Sequence, residues 1–349
     1  MADKAMSRLR SRRELLKTGG CMAGAGLLSG LLPKGALARA FAPPSAFRAQ
    51  AAQPAPQAGG PAGSPFGPDF VVNMRKQMGA VPVETLKLRD DIYMLYGPGG
   101  NMVALNGADG KVLVDSSFVT AAPKVLDALN AMGKAPLKVL VNTHWHFDHT
   151  DGNQAMHEAG ALIVAHENTR KRLASPQTMP AFGLHFDASP AAALPQQTFT
   201  GDTALYFGNE QIHLGYFSPA HTDTDIYVHY ANGNVLHMGD IWFNGNYPLI
   251  DAGTLGNING MITASEHGVR LADADTKIVP GHGPLGDRGG LKEYHDMLAT
   301  VRDRVKKQKD AGKSLAEVTA AKPTADLDAK WGNGSIKPDF FVNLVYSTL

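Results

Sequence analysis

The chain has 349 residues and a formal net charge of +1. Its first 40 residues carry eight Lys or Arg against two Asp or Glu, so the rest of the chain has a net charge of −5. A mildly acidic chain of this kind argues against nucleic acid as a partner. The sequence also shows no repeat at the periods of solenoid proteins.

The N-terminal residues have the pattern of an export signal. Residues 11–17 (SRRELLK) match the twin-arginine motif, and a run rich in Gly, Ala and Leu follows to about Leu32. Small residues then offer a cleavage site after Ala38 or Ala40. We predict that residues 1–40 form a signal peptide that engages the twin-arginine export machinery and is removed. The protein would then act in the periplasm or outside the cell. The apolar run is too short and Gly-rich for a permanent membrane anchor.

The single cysteine, Cys21, lies within this signal segment. After cleavage the chain could form no disulfide, so its stability would depend on core packing and bound metal. Residues 41–68 are rich in Ala, Pro, Gln and Gly, which predicts a flexible linker with too little apolar content to pack. The length of residues 69–349 suits one folded domain.

The first part of that domain alternates between strands and a helix. Short apolar runs separated by Gly-Pro and Asp-Gly turns predict a meander of strands, and Gly133 ends the helix that follows them. Another buried strand comes after the helix. The predicted strands are 92–96, 102–105, 112–114 and 137–141, and the predicted helix is 122–132. This pattern alone supports a mixed α/β class.

The most informative stretch is residues 143–153 (THWHFDHTDGN), directly after the last of these strands. Three histidines and an aspartate stand at the spacing H-x-H-x-D-H. Imidazole and carboxylate are ligands that suit zinc and related divalent metals. In a turning loop His144 and His146 project to one side, while Asp148 and His149 reach a second point nearby. The spacing therefore predicts two metal ions that share one site.

Three later segments carry further candidate ligands, each next to a predicted strand. His221 precedes the strand at 226–230, Asp240 follows an apolar run that begins at Val235, and His282 lies in a Gly-His-Gly turn after a short strand. Each of these patterns is weak alone. Their order after the first motif is not expected by coincidence.

This order of motifs resembles that of the metallo-β-lactamase fold hydrolases, and within them the glyoxalase-II-like and cyclase-like branch. The resemblance implies an αββα sandwich of two mixed β-sheets flanked by helices over residues 69–349. It also implies that Asp115, at the end of a strand, supports the metal loop from the second shell. It assigns three ligands to each ion and one bridging acid: His144, His146 and His221 for the first, Asp148, His149 and His282 for the second, and Asp240 as the bridge.

The acid at position 240 indicates how many ions are bound and which metal they are. Lactamases with a cysteine ligand place that cysteine here, whereas glyoxalase-II-like members use an acid. A hard carboxylate favours two bound ions, with zinc as the first expectation and iron or manganese as alternatives.

The resemblance implies a dinuclear hydrolase of a small-molecule substrate, and the predicted signal peptide implies that it is exported. Its metal-bound hydroxide would attack the carbonyl of an ester, thioester, lactone or lactam. Asp148 would orient this nucleophile while it binds the second ion.

Two other functions stay open. Export to the compartment exposed to antibiotics favours a true β-lactamase, but no Lys or Arg follows Asp240 closely to bind a substrate carboxylate. Lys292, beyond His282, could serve instead. The alternative of another class is a di-iron redox protein, or an auxiliary metal-binding protein of a periplasmic quinoprotein system. The diiron oxidoreductases of this fold normally carry a flavodoxin-like domain, for which this chain has no room.

Two segments outside the motifs concern the pocket. Residues 173–200 have an irregular pattern with four prolines and with apolar residues expected to be exposed, namely Met179, Phe182 and Phe186. A loop of this length is either a wall or lid over the metals or an insertion without a role. Residues 242–248 follow Asp240 closely and are predicted to line the pocket.

The remaining polar and C-terminal candidates have weaker patterns. Among the other histidines, His185 is retained as a candidate substrate-side group. Asp223 and Asp225, beside His221, are expected to cap local backbone. Residues 331–346 are predicted to form a packed tail helix without a catalytic role.

Overall fold

The computed structural model describes residues 69–349. The predicted signal peptide (1–40), its cleavage sites and the predicted linker (41–68) lie outside this range. Within 69–349, none of the helices combines the length and the apolar character needed to cross a membrane.

Seven strands form the first sheet: β1 (Glu84–Lys87), β2 (Ile92–Tyr96), β3 (Met102–Gly107), β4 (Gly110–Val114), β5 (Leu137–Val141), β6 (Leu162–His166) and β9 (Gln197–Phe199). They are hydrogen-bonded in this order. β1 to β4 pair antiparallel, whereas β4, β5, β6 and β9 pair in parallel. Strands β4 and β5 are nearly continuous apolar runs because strands in the middle of a covered sheet are buried on both faces.

Five strands form the second sheet: β10 (Thr203–Phe207), β11 (Glu210–Tyr216), β12 (Ile226–Tyr230), β13 (Val235–His237) and β14 (Lys277–Val279). β10 to β13 pair antiparallel, and β14 joins β13 in parallel. Burial alternates along β12, with Ile226, Val228 and Tyr230 on the buried face. This two-residue period is typical of a strand with one face in the core.

The helices of the described range lie between and after these strands. Two of the longer ones begin at a side-chain cap: Asn257 accepts a hydrogen bond from the Gly260 amide, and Asp287 accepts one from the Gly290 amide. The α-helices are α1 (Phe70–Ala80), α2 (Ala122–Met132), α3 (Phe147–Thr150), α4 (Asn153–Glu158), α5 (Glu167–Leu173), α6 (Ile258–Leu271), α7 (Arg288–Asp310), α8 (Leu315–Ala320), α9 (Asp328–Trp331) and α10 (Pro338–Ser347).

The two sheets pack face to face with helices outside them. One apolar cluster joins Val103 and Val141 of the first sheet to Leu214 and Val228 of the second. A second cluster packs α2 and α4 on the outer face of the first sheet, and a third packs α6, α7 and α10 on the second sheet. The predicted αββα sandwich of two mixed sheets is therefore confirmed.

One expectation for residues 173–200 is wrong. The segment contains a two-stranded hairpin of β7 (Gln177–Met179) and β8 (Leu184–Phe186). Met179 and Phe182 are only 4% and 5% exposed, and Phe186 is half-buried. They are covered because the hairpin folds onto the cluster beside the second sheet, where the Phe182 ring meets Phe340 at 5.1 Å.

Candidate metal centre

The predicted ligands come from four loops that each follow a strand. His144, His146, Asp148 and His149 follow β5, where the chain turns into the short helix α3. The other three follow strands of the second sheet: His221 comes after β11, Asp240 after β13 and His282 after β14. All seven side chains meet in two neighbouring groups.

The first group contains His144, His146, His221 and Asp240, all buried, with ligand atoms within 4.8 Å of one another. His146 Nδ1 lies 2.9 Å from His221 Nε2, and His221 Nε2 lies 3.4 Å from Asp240 Oδ2. Two ligand atoms on one tetrahedral zinc lie roughly 3.3 Å apart. The spacing in this group is therefore that of donors around one ion.

The second group contains Asp148, His149 and His282. Asp148 Oδ2 lies 3.3 Å from His282 Nε2 and 3.8 Å from His149 Nε2. Asp240 also reaches this group, because its Oδ1 is 3.1 Å from His149 Nε2 and its Oδ2 is 3.3 Å from His282 Nε2. The Asp240 carboxylate thus lies between the two groups.

Asp115 orients two of the histidines from behind. The Nδ1–H of His149 donates to Asp115 Oδ2 at 2.8 Å, which leaves Nε2 with its lone pair toward the site. His144 is held through Thr143, whose hydroxyl donates to Asp115 at 2.7 Å and accepts from His144 Nδ1 at 3.0 Å. Asp115 has a φ of +62° and is fully buried. The strand-end position predicted for this residue therefore places it directly behind the metal loop.

Asp251 is a supporting residue that the sequence analysis missed. The Nε2–H of His146 donates to Asp251 Oδ2 at 3.1 Å, and the Nδ1–H of His221 donates to the Leu249 carbonyl at 2.9 Å. Asp251 also accepts the Gly253 amide, as a turn-capping aspartate does. Nothing in its local sequence distinguishes it from such a cap.

Two glycines allow the ligands to pack closely. The ring of His149 occupies the space where a side chain on Gly100 would begin, and Asp240 Oδ1 occupies the corresponding space at Gly281. Any larger residue at either position would displace a ligand. The Gly100 amide also donates to the Asp148 carbonyl at 3.1 Å, which ties this turn to the metal loop.

The electrostatics of the site suit divalent cations. Burial lowers the pKa of His144 well below its ordinary value and, despite the opposing Asp240, lowers that of His221 to about 4, so both rings are neutral. Burial raises the pKa of Asp240, but the surrounding histidines outweigh it and hold the pKa well below its usual range. Burial lowers the pKa of His282, yet Asp240 and Asp148 outweigh it and raise the pKa to about 9. The carboxylates thus attract positive charge to this point.

An unpartnered atom supports the same conclusion. His144 Nε2 is buried, and among the residues of 69–349 it has no hydrogen-bond partner. It lies 3.8 Å from Asp240 Oδ2. A buried polar atom without a partner is costly unless something binds it. Imidazole nitrogens and ionised carboxylates around this atom are donors that fit a bound metal ion.

A cavity of about 400 Å³ opens over the site. Four metal-site residues (His146, Asp148, Asp240 and His282) line it. Phe243 and residues 244–247 also line it, as predicted for 242–248, whereas Trp242 is fully buried in the core.

Three further segments form the walls of this cavity. Met179, Phe182 and Leu184 come from the β7–β8 hairpin, so residues 173–200 contribute a wall. Phe70 and Met74 of α1 line it too. The C-terminal segment, for which no role at the site was predicted, contributes Lys330 and residues 333–336.

Several weaker candidates lie elsewhere. His185 is exposed and lines another cleft with Arg75 and Arg172, and it is not among the residues that line the main cavity. Lys292 forms an exposed ion pair with Asp296 and is not among the residues that line the main cavity.

The two aspartates beside His221 have different partners. Asp225 accepts hydrogen bonds from the amide and hydroxyl of Thr222, which is the backbone-capping role expected for it. Asp223 pairs instead with Arg172, at 2.6 Å.

Comparison with known proteins agrees with this geometry. Residues 95–303 match the sequence profile of the metallo-beta-lactamase superfamily. The chain belongs to this superfamily. It is 26% identical over 201 residues to a type 2 metallo-beta-lactamase from Bacillus cereus, a match that covers 57% of this chain and 72% of that protein.

Two other members of the superfamily are informative. A hydroxyacylglutathione hydrolase from Gloeobacter violaceus is 32% identical over 153 residues, which is 41% of this chain and 52% of that protein. The solved structure of a metallo-beta-lactamase from Pontibacter korlensis has a TM-score of 0.54 and 21% identity, and covers 62% of this chain and 99% of that one. With the His and Asp cluster, these matches show a metal-dependent hydrolase of the metallo-β-lactamase superfamily.

Proposed function

We propose that the protein is a dinuclear hydrolase that attacks the carbonyl carbon of an ester, thioester, lactone or lactam and breaks its acyl C–O, C–S or C–N bond. The observation that carries this proposal is the position of Asp240. Its carboxylate lies within 3.4 Å of a histidine nitrogen in each group, which is where a ligand shared by two ions would stand. Each group holds three further side chains of the types that bind zinc.

The metal ions and Asp148 would have different roles in this reaction. When bound, two divalent ions lower the pKa of water to near neutrality and polarise a substrate carbonyl. Asp148 is the acid best placed to act on substrate or water, because it lines the cavity and its side chain is 16% exposed against 3% for Asp240. Burial raises its pKa, but His149 and His282 outweigh this and lower it, so the carboxylate is ionised. The ionised carboxylate can therefore accept a hydrogen bond from a water molecule and orient it.

The nature of the ions and the route of export are part of the same proposal. Five imidazoles and two carboxylates favour zinc, with iron or manganese as alternatives. The twin-arginine motif at residues 11–17 supports export of the folded, metal-loaded protein.

A β-lactamase is the second candidate, and the Bacillus cereus relative is the observation that favours it. Against this candidate, a β-lactamase must bind the carboxylate of its substrate, which requires a free cation near the metals. Lys292, the candidate from the sequence, is outside the cavity and already paired.

The decisive experiment compares zinc-loaded protein with chelator-treated protein on an ester, a thioester, a lactone and nitrocefin. His146→Ala should abolish turnover and lower the metal content. His185→Ala, an exposed histidine in a separate cleft, is the matched control and should change neither. Full activity and full metal content in His146→Ala would refute the assignment. Nitrocefin turnover that far exceeds turnover of the other substrates would favour the β-lactamase.

Export has its own test. Replacement of both Arg12 and Arg13 by Lys should leave the uncleaved precursor in the cytoplasm. The control variant replaces Arg8 and Arg10, which lie outside the motif, by Lys. Its export should continue. Normal export of the Arg12, Arg13 variant would contradict the twin-arginine assignment.

A further inference from the structure

The cavity over the metal site takes part of its wall from outside the superfamily domain. The domain match covers residues 95–303, and it contains all seven predicted ligands. Phe70 and Met74 of α1 precede it, and Lys330 and Ile336 follow it. The ligands are thus within the shared domain, whereas the segments just before and after it add surfaces that a substrate would touch.

Three of the added residues that line the cavity, Phe70, Met74 and Ile336, are apolar. Met74 and Ile336 are buried against the cavity, and Met179, Phe182 and Leu184 of the hairpin complete the wall. Each methylene that a substrate buries against such a wall strengthens binding about fourfold. A small polar acyl group would leave this wall without a contact.

The charged side chains around the cavity also favour an uncharged substrate. Among the described residues that line it, Lys330 is the one Lys or Arg. Its ammonium already forms an ion pair with Glu293 and lies 5.0 Å from the centre of the Trp331 ring. A substrate carboxylate would have to compete with Glu293 for this cation.

We infer that the substrate is an uncharged ester or lactone with a bulky apolar acyl group, and that Met74 and Phe182 select for that group. This inference rests on the proposed hydrolase function. In the reaction the acyl C–O bond breaks, the carbonyl carbon gains the hydroxyl of water, and the leaving oxygen gains the proton. Atoms balance without an oxidant or a further reactant.

The test uses the zinc-loaded protein and p-nitrophenyl esters of acetate, butyrate, hexanoate and octanoate. We expect kcat/KM to rise along the series by up to about fourfold for each methylene that becomes buried. A p-nitrophenyl half-ester of succinate has the chain length of butyrate and adds a carboxylate, and it should react more slowly than butyrate.

Variants then locate the selective wall. Met74→Ala and Phe182→Ala should each lower the ratio of octanoate to acetate kcat/KM at least about fivefold, because each removes apolar contact area. Val72→Ala, on an exposed part of the same helix as Met74, should leave the ratio unchanged. Phe182 also packs on Phe340, so Met74→Ala decides the matter if Phe182→Ala does not fold.

The outcomes separate the inference from the function on which it rests. A flat series, a preference for acetate, or a half-ester faster than butyrate would overturn the inference and leave the hydrolase standing. An unchanged ratio in folded Met74→Ala would overturn the selective role of that wall. Absence of turnover of any ester, thioester, lactone or nitrocefin by the zinc-loaded protein would overturn the proposed function itself.

Discussion

The Asp251 carboxylate accepts a hydrogen bond from Nε2 of His146 at 3.1 Å. The Thr254 hydroxyl donates to the same carboxylate oxygen at 2.6 Å and so fixes its position. With Nε2 committed as a donor, the Nδ1 of His146 keeps its lone pair toward His221. Asp251 thereby determines which nitrogen of His146 can bind metal, although it stands 105 positions along the chain.

Removal of this carboxylate should weaken the first metal group. We expect Asp251→Ala to lower metal affinity about 10- to 100-fold, because loss of a partner behind a histidine ligand has effects of this size. Competition with a chromophoric chelator measures the affinity. Asp223→Ala, which breaks an ion pair with Arg172 instead, is the matched control. Equal affinities in the two variants would show that Asp251 does not support the ligand.

Gly100 makes a second prediction possible. A methyl group at this position would overlap the His149 ring, so Gly100→Ala should displace that ligand and deplete the second ion. Metal analysis should find about one ion per chain in place of two. Gly201→Ala places its methyl group in open space and should keep full metal content. A fully loaded Gly100→Ala would contradict the position assigned to His149.

Metal removal should destabilise the fold as well as stop the reaction. Ligands that bind only the native state stabilise it, by about 2.7 kcal/mol when present at 100 times Kd. For a folded domain of this size that corresponds to a fall in Tm of about 4–5 °C on chelation. Calorimetry with and without chelator measures this, and added zinc should restore the original Tm. An unchanged Tm after verified metal loss would mean that the site contributes nothing to folding.

The parts of this protein that the sequence predicts best are those set by local spacing. His144, His146, Asp148 and His149 lie within six positions after a buried strand, so chain geometry alone brings them to one place. The parallel strand β5 is likewise a short apolar run that needs no distant information.

The parts that were missed depend on long-range packing. The local sequence around Asp251 is that of an ordinary turn-capping aspartate, which it also is. Only the fold brings its carboxylate to His146. The hairpin strands β7 and β8 have three residues each, too few for a two-residue period to be recognised. The position of α1 over the metal site involves contacts between residues far apart in the chain, such as the Arg75–Asp151 ion pair, which no local pattern contains.

This ion pair joins Arg75 of α1 to Asp151, two positions after His149. The guanidinium donates from Nε and from a terminal nitrogen to the two carboxylate oxygens of Asp151, at 2.6 and 2.9 Å. Lys124 holds the end of the same helix through the carbonyls of Gly79 and Val81. These contacts keep Met74 against the cavity.

Arg75→Leu should therefore loosen α1 without unfolding the sandwich, since the sheets and their core cluster make no use of this pair. Hydrogen exchange should become faster in residues 70–80 and stay unchanged in β5. If Met74 belongs to the substrate wall, KM for p-nitrophenyl octanoate should rise while kcat/KM for acetate changes little. Lys76→Leu, an exposed neighbour on the same helix, should alter neither quantity. Unchanged exchange in residues 70–80 of Arg75→Leu would show that packing alone holds the helix over the site.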